Sequence, residues 1–257
     1  MSDWNPELYL KFERERTQPV KDLVARIELP DPARIIDLGS GPGNSTSVLR
    51  TRWPKASIMG LDRSPAMIAE ARRTCPDLEW IQGDIGADLS HLGSFDLVFA
   101  NASLQWLPDH RQLLPRLFGL VRRGGALAAQ IPKFADMPVA RVLQEVTQLP
   151  EYGARFTGFD AGWVASEASQ YYDVLCGASR AIDLWLTHYH HVLDNHPAVI
   201  EFLKPAALRP YLDRLPEDHR AGFTAQVLAR IQKQYPAQCD GRVLFIFKRL
   251  FLIAYKP

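Results

Sequence analysis

The sequence predicts an α/β fold, a doubly wound and mostly parallel sheet of seven strands with a helical cap built from insertions. Three observations carry that expectation. Strand-like apolar runs alternate with helix-like segments five times between Arg34 and Pro132. The first run leads directly into a turn containing Gly39, Gly41 and Gly43. The runs are also apolar without strict alternation, as strands covered by helices on both faces must be.

Residues 4–28 place Leu8, Tyr9, Phe12, Val20, Leu23, Val24 and Ile27 at helical spacing, and Pro19 is expected to break the segment into two short helices. ARIIDLGSGPGNSTSVL then reads as a strand, a glycine turn and a helix capped by Asn44 or Ser45. SIMGLDRSPAMIAEARRTC repeats the pattern, with a strand ending at Asp62 and a Ser-Pro helix start. LEWIQGDI and FDLVFANASLQWL supply the third and fourth strands. A helix after Pro108 is expected to stop at Gly124 and Gly125, ahead of a fifth strand, GALAAQIP.

Beyond Lys133 the rhythm changes. Val139–Leu149 and Glu167–Leu175 read as helices flanking a Gly-rich and aromatic stretch, EYGARFTGFDAGW. AIDLWLTHYHHVL is strand six, residues 197–236 hold two or three helices, and VLFIFKRLFLIAYK is a final strand or hairpin. The expected organisation is therefore N-terminal helices over the ligand site (1–30), a ligand-binding core (31–133), an insertion (134–180), a core strand (181–194), a helical cap (195–240) and the closing strand (241–257).

Bulk properties exclude several classes. With 30 Lys+Arg against 29 Asp+Glu, no global field draws the chain to nucleic acid or an anionic membrane. No run approaches the roughly 18 apolar residues of a spanning helix, so a soluble, cytoplasmic protein is expected. Cys75, Cys176 and Cys239 are scattered and odd in number, which fits no disulfide framework or Cys-x-x-Cys site. His188, His190 and His191 lack a third local ligand, so no metal is expected.

The glycine turn points to a nucleotide-like ligand, because glycine lets the backbone turn sharply and approach a ligand closely. Its spacing is G-x-G-x-G, with Asn44 where a dinucleotide fingerprint would carry the last glycine. Asp37 stands two positions before Gly39, where a pyrophosphate would be repelled but a cationic amino group would be welcomed. Asp62, beside Arg63, can accept hydrogen bonds from both ribose hydroxyls of an adenosine. Asp84 can accept from an adenine amino group while Ile85 packs near the ring. Asn101 and Ala102, ending the fourth strand, would lie beside the rest of the ligand.

DLGSGPG, LDRSP, QGDI, FDLVFANASLQWL and RRGGAL, spread over residues 34–132, resemble the successive motifs of class I S-adenosyl-L-methionine-dependent methyltransferases. The resemblance implies a Rossmann-like fold with S-adenosyl-L-methionine as co-substrate, its methionine portion beside Asn101 and Ala102 and Tyr9 as a lid. The outer segments, WNPELYLKFERERTQPVKDLVARI, NASLQWLPDH, LWLTHYHHVL and DGRVLFIFKRLFLIAYK, resemble the trans-aconitate 2-methyltransferase family. That resemblance implies methyl transfer to a carboxylate of a small polycarboxylic acid, giving a monomethyl ester and S-adenosylhomocysteine.

A carboxylic acid of pKa about 4 is already ionised at neutral pH, so no catalytic base is needed. The expected substrate residues are Trp106, Lys133, Arg155, His190, His191 and Arg242, with Arg14 or Arg16 closing over the site. Other readings remain open. A phenol or carbon acid acceptor would call on His190 or His191 as base, and a non-catalytic binder would keep the cofactor motifs alone. An NAD-dependent oxidoreductase is disfavoured by the glycine spacing and Asp37.

Overall fold

The computed structural model describes residues 11–257. A seven-stranded sheet has the order β3-β2-β1-β4-β5-β7-β6. Its strands are β1 (Arg34–Leu38), β2 (Ser57–Asp62), β3 (Glu79–Gln82), β4 (Phe95–Asn101), β5 (Val121–Pro132), β6 (Ala181–Leu193) and β7 (Val243–Tyr255). The first five pair in parallel, and β7 runs antiparallel to β5. This is the Rossmann-like sheet that the sequence predicts. The order reverses at β1 and β4, so the crevice outside their carboxyl ends is where an open α/β sheet binds its ligand.

The chain divides into two compact units. Of the described residues, one holds 11–132, Val164–Thr187 and Arg249–Pro257; the other holds Lys133–Trp163 and His188–Lys248. In the first, Leu97, Val98, Phe99 and Ala100 of β4 are all fully buried, which is why that strand reads as an unbroken apolar run. Helices α1 (Glu13–Arg26), α2 (Asn44–Arg52), α3 (Pro65–Thr74), α4 (His110–Gly119) and α7 (Ala168–Leu175) belong to this unit. Ser64 Oγ caps α3 by accepting from Met67 N, and Pro65 occupies the first helical turn.

The second unit contains α5 (Pro138–Thr147), α6 (Pro150–Phe156), α8 (His196–Leu203), α9 (Arg209–Arg214) and α10 (Glu217–Gln234). Aromatic packing holds it together. Tyr152 and Phe156, one turn apart on α6, pack on Phe223 with ring centroids 5.2 and 5.7 Å away. Tyr235 Oη accepts from Val139 N at 3.2 Å, tying the end of α10 to α5.

Three local expectations need correction. Pro19 does not split its segment: Glu13–Arg26 is one helix, with Pro19, Val20, Leu23 and Val24 buried, and their burial offsets the missing amide donor. Neither Asn44 nor Ser45 caps α2; the cap is Gly43 at φ 101°, and the Ser45 hydroxyl is engaged elsewhere. The helix after Pro108 ends at Gly119 rather than at the Gly124–Gly125 pair, because Val121 already pairs with Phe95 and the pair lies in an irregularity early in β5. In the aromatic stretch after Leu149, Pro150 starts a helix that buries Tyr152 and Phe156. Of the two forms expected for the closing segment, the structure takes the single strand.

Among the described residues no helix is long and apolar enough to cross a membrane, and no group of three or more His, Cys, Asp or Glu could hold a metal ion.

Candidate functional site

The carboxyl ends of β1, β2 and β4 open into a cleft continuous with solvent. Eight of the ten residues expected to hold the cofactor line it: Gly39, Gly41, Asp62, Arg63, Asp84, Ile85, Asn101 and Ala102. Tyr9 lies outside the described residues. Asp37 lies behind the glycine turn rather than in the lining.

The turn is held from beneath. Gly39 N and Ser40 N both donate to Leu61 O, at 2.7 and 3.1 Å, binding the end of β1 to β2. Gly39 has φ +73°, and a Cβ there would overlap Ser103 Cβ and stand 2.9 Å from Ser103 Oγ. Only glycine fits. Gly41 has φ +55° and an added Cβ would meet no protein atom within 4 Å; the space it would enter belongs to the cleft.

Asp62 fastens this geometry. Its Oδ2 accepts from Gly41 N and its Oδ1 from Ser64 N, both at 2.9 Å. The same carboxylate lines the cleft. Asp84 is exposed at the cleft, with Oδ1 accepting from Gly86 N at 2.7 Å. Ala102, at φ 52°, takes a left-handed conformation that non-glycine residues rarely adopt, and its amide donates to Gln130 O. Asn101 Oδ1 is buried and has no hydrogen-bond partner among the described residues.

Asp37 is fully buried. Its Oδ2 accepts from the Ser45 and Thr46 hydroxyls at 2.6 and 2.7 Å, while Oδ1 has no partner among the described residues. Burial pushes its carboxyl up from 3.8 to about 6, opposed by those two hydroxyls and reinforced by the charge of Asp62. A buried acceptor without a partner costs about 1–3 kcal/mol, so Asp37 Oδ1 and Asn101 Oδ1 are places where a bound ligand's donors would be rewarded. An orphaned carboxylate oxygen, the Asp62 carboxylate in the lining and an apolar wall of Ile85 and Leu107 together fit S-adenosylmethionine.

The wall bearing Trp106 is braced by a buried relay. His110 Nε2 bonds Leu104 O at 2.9 Å and Nδ1 bonds Tyr171 Oη at 2.7 Å. A carbonyl only accepts, so Nε2 carries the proton and Nδ1 accepts from the tyrosine hydroxyl, which in turn accepts from Ser166 N. Burial holds His110 below its ordinary pKa, which keeps that tautomer neutral. Tyr171→Phe is expected to cost about 1–2 kcal/mol in urea denaturation, because it leaves Nδ1 and the Ser166 amide without their shared partner. An unchanged midpoint would show that the relay carries no stability.

A methyltransferase-domain family model matches residues 35–125, the stretch that builds this cleft. The trans-aconitate 2-methyltransferase of Methylobacterium nodulans is 45% identical over 255 residues, covering 99% of this chain and 98% of the relative. That of Escherichia coli K12 is 43% identical, with 99% and 98% covered. The chain belongs to the trans-aconitate 2-methyltransferase family. Solved structures agree on the fold: the YcgJ protein of Bacillus subtilis superposes with a TM-score of 0.57 at 14% identity, covering 93% of this chain and 98% of its own. Haemonchus contortus phosphoethanolamine N-methyltransferase 2, solved with S-adenosylhomocysteine, also gives 0.57 at 15% identity, covering 93% of this chain and 52% of its own.

As in the family as a whole, the co-substrate is S-adenosylmethionine. Of the expected substrate residues, Trp106 is in the cleft wall. The others belong to the second unit, where each has its own neighbours. Lys133 is 5% exposed with Nζ 3.4 Å from Asp136 Oδ2. Arg155 is exposed, its Nη2 3.4 Å from His219 Nε2, and Arg242 is exposed 3.6 Å from Asp240 Oδ2. His190 is exposed, whereas His191 is buried against the rings of Phe202 and Phe247.

The sequence reading missed Pro42, Met67, Gly83, Ser103 and Leu107 in the lining, and it missed two buried polar residues, Gln130 and Arg249. The last two did leave a signal. Each interrupts an otherwise apolar strand, in GALAAQIP and VLFIFKRLFLIAYK.

Proposed function

We propose that this chain transfers the methyl group of S-adenosylmethionine to one carboxylate of trans-aconitate, giving a monomethyl ester and S-adenosylhomocysteine. The observation that carries the reading is full-length similarity at 40–45% identity to relatives named trans-aconitate 2-methyltransferase, together with a cleft suited to the methyl donor.

Asp62 would hold the ribose diol, Asp84 and Ile85 the adenine, and Asn101, Ala102 and Asp37 the methionine end. Gly39 and Gly41 give the backbone access, and Arg63 stands at the rim. When bound, S-adenosylmethionine supplies an electrophilic methyl on a sulfonium. The acceptor carboxylate is already ionised near neutral pH, so no side chain has to remove a proton. What the chain contributes is alignment of that oxygen with the methyl and exclusion of water. Trp106 would wall the acceptor side. Lys133, Arg155 and Arg242 are the candidate cations for the remaining carboxylates, and His190 and His191 the candidate hydrogen-bond donors.

Purified protein is expected to convert S-adenosylmethionine to S-adenosylhomocysteine faster with trans-aconitate than with cis-aconitate, isocitrate or buffer, and to yield a base-labile methyl ester. Equal rates with all four would sink the assignment of the acceptor while leaving the methyltransferase fold in place.

A further inference from the structure

One face of the sheet carries a row of polar side chains, buried but for the half-buried Asn101, where an apolar layer is the norm. Asn101 of β4 is in register with Gln130 of β5, Gln130 with Phe251 of β7, and Pro132 with Arg249. Paired residues, and residues two apart on a strand, present their side chains to the same face. Asn101, Gln130 and Arg249 therefore share one face, and the Asp37↔Phe99 pairing puts Asp37 there as well. The row crosses the carboxyl ends of the parallel strands, where ligands bind.

Arg249 and Gln130 are 4% and 0% exposed, and Arg249 Nη1 donates to Gln130 Oε1 at 2.9 Å. That bond fixes the amide's orientation, since a guanidinium only donates and must face the amide oxygen. The amide nitrogen of Gln130 is thereby turned elsewhere, buried, with no hydrogen-bond partner among the described residues. Both groups are donors. An unmet amide donor beside a buried guanidinium is the arrangement that a carboxylate oxygen completes. Gln130 lies one strand, roughly 4.8 Å, from Asn101 in the cleft wall.

We propose that Gln130 and Arg249 form a carboxylate-binding subsite for the acceptor, holding one of the carboxylates that is not methylated. The proposal rests on the reading of the acceptor as a polycarboxylate. It assigns the specificity for a multiply charged acceptor to a pair inside the first unit. The methylated carboxylate needs no cation, because its charge is what attacks; its siblings carry charges that must be matched when they leave water.

Steady-state kinetics of the wild type, Arg249→Lys and Gln130→Glu would be compared with trans-aconitate and with dicarboxylate and monocarboxylate analogues, alongside S-adenosylhomocysteine affinity and thermal midpoint. Arg249→Lys keeps a charge but loses the planar fork. Gln130→Glu places a competing carboxylate against Arg249. In both, KM for trans-aconitate is expected to rise about 10- to 100-fold, with S-adenosylhomocysteine affinity held and the advantage of tri- over dicarboxylate narrowed.

An unchanged trans-aconitate KM in both variants overturns the subsite and leaves the acceptor assignment standing. Loss of S-adenosylhomocysteine affinity and thermal midpoint in both, in proportion to activity, overturns it too, since the pair would then only support the sheet. A wild type that methylates monocarboxylates as well as trans-aconitate removes the acceptor reading and the subsite together.

Discussion

Replacing Gly39 with alanine is expected to lower S-adenosylmethionine affinity at least about 100-fold and unfolding free energy by about 3 kcal/mol. Two penalties coincide at this position. The backbone sits at φ +73°, where an L side chain is strained, and the new methyl would occupy the volume of Ser103 Cβ. Ser103 has little freedom to yield, since its hydroxyl donates to Leu38 O at 2.7 Å and it is buried. The relief available is movement of the β1–α2 turn, which displaces Gly41 and its bond to Asp62. Gly119→Ala serves as the control, with no positive φ and no atom within 4 Å of the added carbon. Isothermal titration with S-adenosylmethionine and urea denaturation read the two effects; wild-type affinity in the Gly39 variant would refute this account of the turn.

Asp37 should make both stability and cofactor binding depend on pH. Its carboxyl is raised from 3.8 to about 6 by burial, so the folded state favours the protonated form. The associated stability is fully present below the unfolded value and is lost as pH rises through the folded one. Between pH 4 and pH 7 this group alone is expected to remove about 2 kcal/mol of unfolding free energy, and Asp37→Asn should flatten that part of the profile. A ligand amino group near Asp37 would favour its charged form. S-adenosylmethionine should then bind more tightly at pH 7 than at pH 5, by about tenfold, with no such trend in the asparagine variant. A wild-type affinity constant across that range would rule out the pairing of Asp37 with the ligand's cation.

The cleft was legible in the sequence to a large degree because its parts recur at strand ends. Gly39, Asp62, Asp84 and Asn101 each terminate or follow an apolar run, and a parallel sheet brings such ends to one edge. What the residues do to one another was less visible. Asp62 was read as a ribose ligand, yet it also binds the amides of Gly41 and Ser64, a role set by the neighbouring strand. Arg242 and Arg155 were chosen as acceptor cations by their place in the chain, and both are exposed. The buried guanidinium is Arg249, seven residues beyond Arg242 on the closing strand.

By itself the sequence determined the alternation of strand and helix, the glycine turn after the first strand, and the acidic residues Asp62 and Asp84 that line the cleft. Those are local properties, set by backbone sterics, hydrophobic period and side-chain type. The tertiary structure decided which polar groups lose water and which partners they keep. Gln130 and Arg249 are 119 residues apart in the chain and meet only because β7 runs antiparallel against β5. Burial and pairing at such distances follow from sheet register, and no local pattern encodes it.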